Sequence, residues 1–114
     1  MSFKATARES GGITVVDVSG RITLGEGSSM LREMVRDLID KGHTKIVLNL
    51  GDVNYIDSSG IGELVSGFSA VKGQGGELKL LNLTKKVHDL LQITKLYTVF
   101  DVHTDENTVL SSFK

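Results

Sequence analysis

The chain has 114 residues, with 13 Lys and Arg against 14 Asp and Glu, for a formal net charge of -1. That length fits one domain, residues 1–114, which buries roughly 65% of its unfolded surface, and the balanced charge argues against a nucleic-acid surface. The chain has no Cys, so we expect neither disulfides nor thiolate metal sites. No apolar run approaches the ~20 residues that span a membrane, and the first residues lack the apolar core of a signal peptide. We therefore expect a cytoplasmic protein without membrane insertion.

The first third of the chain predicts two strands and a helix. Residues 3–9 alternate weakly, as an edge strand does, and residues 10–12, Ser-Gly-Gly, are typical of a hairpin turn. The β-branched run at residues 13–20 predicts a second strand, antiparallel to the first. After a polar connection, residues 21–29, an apolar stripe at helical spacing predicts a helix that ends before Gly42. The members of the stripe are Leu31, Met34, Val35, Leu38 and Ile39.

The rest of the chain alternates strands and helices. Strands are predicted at residues 45–50, 77–83 and 99–102, a long helix at residues 59–72, and two short helices after Thr84 and Thr104. Because a helix separates each later strand from the one before it, these strands should be parallel, with right-handed crossovers that place the helices on one face. The expected fold is α/β: a mixed, mostly parallel sheet of about five strands with about four helices, in which the first two strands are antiparallel.

A serine-bearing turn lies where the central strand passes into the long helix. Its residues are Asp57, Ser58, Ser59 and Gly60. Asp and Ser cap helices because their oxygens accept first-turn N–H groups, and we expect Ser58 to be the N-cap, with Asp57 in a capping and positioning role. Gly60 and Gly62 leave the turn nearly free of side chains, so a partner could bring a reactive group close to a serine. The helix start also suits a phosphoryl group, but these residues alone leave a purely structural role open.

The sequence does not predict an enzyme. His43, His88 and His103 are scattered without ligand spacing, so no metal and no other cofactor is expected. The serines lack the Gly-x-Ser-x-Gly elbow of hydrolases. Asp57 at its ordinary pKa, about 4, is a poor general base for a hydroxyl group.

The segment Tyr55-Ile56-Asp57-Ser58-Ser59-Gly60-Ile61-Gly62 resembles the signature of STAS domains, in particular of the bacterial anti-sigma factor antagonists. Residues 46–50, 18–22 and 75–78 are also similar to that family, so the resemblance covers nearly the whole chain. It implies a protein that binds an anti-sigma factor, itself a serine kinase, and thereby releases the sigma factor. Phosphorylation by that kinase ends the binding, and a phosphatase restores it.

The resemblance implies that Ser59 accepts the phosphate, with Ser58 as the second choice. Two positions depart from the family, which often has an Asp near the position of Thr23 and a small or apolar residue at Glu63, whose charge would oppose a phosphate on Ser59. The intact Asp-Ser-Ser-Gly motif favours the phosphorylated antagonist; the departure at Thr23 leaves open a non-phosphorylated structural subunit of a lipid-transporting ABC complex or of a signalling assembly. The predicted partner-binding residues are Thr23, Asp57, Ser58, Ser59, Gly60, Ile61 and Gly62.

Overall fold

The computed structural model describes residues 3–113, which are built around a five-stranded sheet. Its strands are β1 (Lys4–Ser10), β2 (Ile13–Ile22), β3 (Lys45–Ile56), β4 (Glu77–Leu81) and β5 (Val102–His103). They lie side by side in chain order; β1 is antiparallel to β2, and all other neighbours are parallel. The predicted mixed sheet is confirmed. Residues 1, 2 and 114 of the predicted domain lie outside the described range.

Four α-helices accompany the sheet within residues 3–113, as predicted. They are α1 (Glu26–Asp40), α2 (Ser58–Gly73), α3 (Lys85–Ile93) and α4 (Glu106–Ser111). The apolar stripe of α1 is buried through Leu31, Val35 and Leu38. Thr84 caps α3, because its hydroxyl accepts the N–H of Val87. The main core lies between α1, α2 and α3 and one face of the sheet.

Strands β2 and β3 both extend beyond their predicted ends. The sequence predicts β3 at residues 45–50, but the strand continues to Ile56, and β2 continues past Gly20 to Ile22. The two strands pair with each other up to Ile22 and Ile56, and Val53 and Ile56 are buried. Both strands therefore end at one level, directly before the serine-bearing turn.

Several further boundaries differ from the prediction, and β4 ends at Leu81 instead of residue 83. Helix α1 begins at Glu26, inside the polar connection predicted at residues 21–29, because that segment already forms helical hydrogen bonds. Helix α4 is capped by Asp105 instead of Thr104, through a hydrogen bond from the N–H of Thr108. The last strand is shorter and later than residues 99–102, since residues 97–99 form a 3-10 turn.

The prediction that all helices share one face is wrong for α4. This helix buries Val109 on the opposite face, against side chains from β2, β3 and β4. The crossover rule constrains only a helix that connects two parallel strands, and α4 follows the last strand. The second face is thus partly covered, while the first carries three helices.

Candidate functional site

The starts of α1 and α2 lie side by side at the carboxyl ends of β2 and β3. Ile22 pairs with Ile56 at the last step of the ladder, and the N–H of Asp57 donates to the carbonyl of Ile22 over 3.3 Å. Parallel strands that end at one level deliver their following segments to the same sheet edge, where open α/β sheets usually carry their sites. The serine-bearing turn and the loop before α1 therefore share one surface.

Asp57 is the N-cap of α2 and also ties down the neighbouring loop. Its Oδ1 accepts the N–H of Gly60 over 3.0 Å, and its Oδ2 accepts the N–H of Leu24 over 3.1 Å. The expected capping and positioning role of Asp57 is confirmed. The expectation that Ser58 is the N-cap is wrong, because Ser58 is the first helical residue and its side chain is exposed.

The hydrogen bonds to Asp57 also set its charge state. Burial acts to raise the pKa of this carboxyl, but the hydrogen bonds from Gly60, Leu24 and Ser59 outweigh it and hold the pKa below its usual value. Asp57 is therefore a carboxylate at neutral pH. A lowered pKa makes it a still weaker general base than an ordinary Asp.

Ser59 is half-buried and is held by a serine from α1. The Oγ of Ser59 lies 2.8 Å from the Oγ of Ser28, and either hydroxyl can donate. Ser28 is a buried polar residue of the first turn of α1. Ser28 is not among the residues predicted from the sequence, because it lies in the segment predicted as a polar connection. Of the two serines of the motif, Ser58 is the more exposed and Ser59 the more firmly oriented.

Gly60 and Ile61 are buried, whereas Gly62 is open to solvent. A methyl group at Gly60 would overlap the carbonyl oxygen of Ile22 and lie 2.6 Å from Cγ1 of Ile56. The close packing of α2 against β2 thus requires a glycine at position 60. This corrects the expectation that the missing side chain of Gly60 makes room for a partner. Gly62 has no atom within 4 Å of the position a methyl group would take, so it leaves free space at the surface.

Glu63 is paired across the helix interface, which changes the expected electrostatics of the turn. The Nε of Arg32 donates to Oε2 of Glu63 over 3.1 Å, and the Glu63 side chain is only 12% exposed. From the sequence, Glu63 is expected to be a free charge that opposes a phosphate on Ser59. The guanidinium of Arg32 compensates much of that charge.

Apolar and cationic side chains surround the turn. Leu24 is 81% exposed, and Thr23 beside it is half-buried. Tyr55 lies below two cations, with the guanidinium of Arg21 at 4.8 Å and the ammonium of Lys86 at 5.3 Å from the ring centroid. Aromatic and Arg side chains are enriched where proteins bind one another.

Residues 3–113 contain neither a membrane-spanning helix nor a cluster of metal ligands. No helix in that range is long and apolar enough to cross a membrane. Nor does the described part of the chain bring three His, Asp or Glu side chains together as a metal site.

Comparison with known proteins agrees with the geometry. A model of the STAS domain matches residues 4–109. The anti-sigma-B factor antagonist of Bacillus subtilis is 38% identical over 87 residues, which cover 76% of this chain and 78% of that protein. An anti-sigma factor antagonist from Mycobacterium paratuberculosis has the same fold, with a TM-score of 0.85 at 17% identity, over 98% of this chain and 94% of that one. The Bacillus cell fate determinant SpoIIAA, solved in its phosphorylated form, gives a TM-score of 0.73 at 19% identity, over 96% and 97% of the chains.

Proposed function

The chain belongs to the STAS domain family, and we propose that it acts as an anti-sigma factor antagonist. In this role it binds an anti-sigma factor and thereby frees the sigma factor that the anti-sigma factor holds. The proposal gives the chain a binding function and no catalytic one, and it places the protein in the cytoplasm, where sigma factors act. The observation that carries it is the serine-bearing turn, which stands at the sheet edge in a chain related to a named antagonist.

The proposed binding surface combines the start of α2 with the loop before α1. Thr23, Ser58, Ser59 and Gly62 provide its accessible atoms, and Leu24 adds an exposed apolar side chain next to them. Asp57, Gly60 and Ile61 act from below, by fixing the turn and its packing. Apolar contact supplies most of the affinity in such surfaces, while polar atoms set the register.

The proposed switch is phosphorylation of Ser59 by the anti-sigma factor, acting as a serine kinase. A bond forms between Ser59 Oγ and the γ-phosphorus of ATP, the bond to ADP breaks, and the hydroxyl proton is released. A phosphatase restores the hydroxyl by directing water onto the phosphorus, which breaks the bond to Ser59 Oγ and releases inorganic phosphate. The hydrogen bond to Ser28 supports Ser59 over Ser58, because it holds this hydroxyl in one orientation, whereas that of Ser58 is exposed.

Phosphorylation should end binding through charge. A phosphoserine adds about -1.5 to -2 charges at pH 7. A partner surface that fits a neutral hydroxyl offers no group to pair with that charge, so association would have to desolvate the phosphate, which opposes binding by several kcal/mol.

The proposal is tested with ATP and a serine kinase of the anti-sigma factor class, obtained from the same organism by pull-down with the unmodified chain. Peptide mass mapping should find phosphate on Ser59, and Ser59→Ala should bind the kinase without becoming phosphorylated, while Ser58→Ala should still be modified. Phosphate found on Ser58 alone would refute the assignment. If the unmodified chain instead captures transporter subunits and no such kinase, the antagonist function is wrong, and the chain is a structural subunit.

A further inference from the structure

Two polar contacts cross the seam between α1 and α2 in register. Ser28 meets Ser59, and Arg32 meets Glu63. Within each helix the two residues are four apart, so they lie on one face with a rise of about 6 Å between them. Arg32 is thus the cation one helical turn below the proposed phosphate acceptor.

The guanidinium of Arg32 has donors to spare. Its Nε and Nη2 donate to Glu63, whereas Nη1 has no hydrogen-bond partner within residues 3–113. A guanidinium carries five N–H donors in a rigid fork, and it binds carboxylates and phosphates along different edges. Arg32 can therefore serve a second anion without leaving Glu63.

Glu63 prepares Arg32 for that second anion. The Glu63 side chain is nearly buried, while the Arg32 side chain is 48% exposed, so the pair fixes a mobile cation at a defined place on the seam. A side chain ordered in advance loses less conformational entropy when it binds. Glu63, which departs from the family pattern, then acts as the anchor of Arg32.

We infer that Ser28 and Arg32 form an intramolecular site for the phosphoryl group of modified Ser59, with Arg32 bridging the phosphate and Glu63. The inference rests on the proposed phosphorylation of Ser59. The Ser28 hydroxyl, which contacts the Ser59 hydroxyl in the unmodified chain, donates to a phosphate oxygen, and Arg32 supplies the positive charge. In the phosphorylated form, the phosphate is thus bound by side chains of its own chain.

The test places phosphoserine at position 59 during translation, so that it does not depend on any kinase. A ³¹P NMR titration then gives the second pKa of the phosphate, which is about 6 when unperturbed. Arg32→Gln should raise this pKa by about half a unit relative to the wild type, because the nearby cation favours the dianion. Asp57 and Glu63 carry the neighbouring negative charges in both proteins, so the difference reports Arg32.

Matched variants make the result specific. Arg36→Gln removes an exposed Arg one turn further along α1 and should leave the phosphate pKa near its wild-type value. Arg32→Lys should restore part of the shift. If Arg32→Gln does not fold, the same comparison is made in a Glu63→Gln background, where no buried carboxylate is left unpaired. An unchanged pKa in Arg32→Gln, or equal shifts in Arg32→Gln and Arg36→Gln, would overturn the inference, while the proposed function would stand or fall by kinase binding.

Discussion

Gly60 and Gly62 differ in their surroundings although both lie in the first turns of α2. Gly60→Ala should destabilise the chain by about 1–3 kcal/mol, because the added methyl group overlaps the Ile22 carbonyl. Gly62→Ala, the control, enters open space and should stabilise the helix by roughly 0.5–1 kcal/mol. Urea unfolding of the three proteins measures both effects. Shifts of the same sign in the two variants would contradict the packing assigned to Gly60.

Asp57 makes the stability of the chain depend on pH. At pH 7, Asp57→Ala should lower the free energy of unfolding by about 1 kcal/mol, since two N–H groups lose their acceptor. The pKa of Asp57 is lower in the folded chain than in the unfolded one, so its contribution is fully present above the unfolded value, about 3.9, and is lost as the pH falls through the folded value.

Denaturant unfolding of the wild type and Asp57→Ala, from about pH 7 to about pH 3, checks this dependence. The difference between the two proteins should stay constant down to about pH 5 and then narrow. A difference that widens on acidification would mean that the carboxylate is not the stabilising form.

At the scale of elements, the sequence predicts which strands and helices exist but not where they end. The apolar run of β3 stops at Leu50, and the exposed Gly51 and Asp52 after it look like the start of a turn. Strand pairing uses the backbone, so β3 stays in the ladder to Ile56 without an apolar side chain at every second position. The side-chain pattern therefore identified the continuous apolar half of β3 and missed the half that positions the turn, where only Val53 and Ile56 are buried.

Helix α4 offers a prediction at the same scale, because one buried cation fastens it to the sheet. The ammonium of Lys79 on β4 donates to the carbonyl and hydroxyl oxygens of Ser112 and lies 4.7 Å from the ring centroid of Phe113. With its side chain only 8% exposed, Lys79 also pairs with Asp101 at 3.1 Å. Lys79→Met keeps most of the apolar stem but removes these bonds.

Lys79→Met should loosen α4 while the rest of the fold persists. Hydrogen exchange should become faster at residues 106–113 and stay unchanged in β2 and β3, because the larger core on the other face of the sheet holds those strands without α4. Lys45→Met, an exposed Lys on β3, is the control. Uniform acceleration across the sheet would show that Lys79 supports the whole domain instead.

At the scale of the whole molecule, the site depends on contacts that a single segment cannot reveal. The Asp57–Gly60 turn was visible because its residues are consecutive. Ser28 and Ser59 are 31 positions apart, as are Arg32 and Glu63, and each pair meets only because α1 and α2 start side by side. The motif alone therefore presented Glu63 as a free charge, and only the register of the two helices supplies its cation.

That register leads to a prediction about how the whole chain responds to charge at position 59. Ser59→Asp should stay folded, with a melting temperature within a few degrees of Ser59→Ala. Ser59→Ala loses the hydrogen bond to Ser28, at about 1 kcal/mol, whereas the carboxylate of Ser59→Asp is an acceptor for the Ser28 hydroxyl and has Arg32 one turn away. Binding should separate the two: Ser59→Ala should bind the kinase, whereas Ser59→Asp should bind it at least tenfold more weakly, as expected for exclusion at the surface without refolding. Calorimetric titration and thermal melts of both variants measure the two effects. A fall of more than about 10 °C in the melting temperature of Ser59→Asp alone, or undiminished binding by the phosphorylated chain, would require a mechanism in which the fold itself changes.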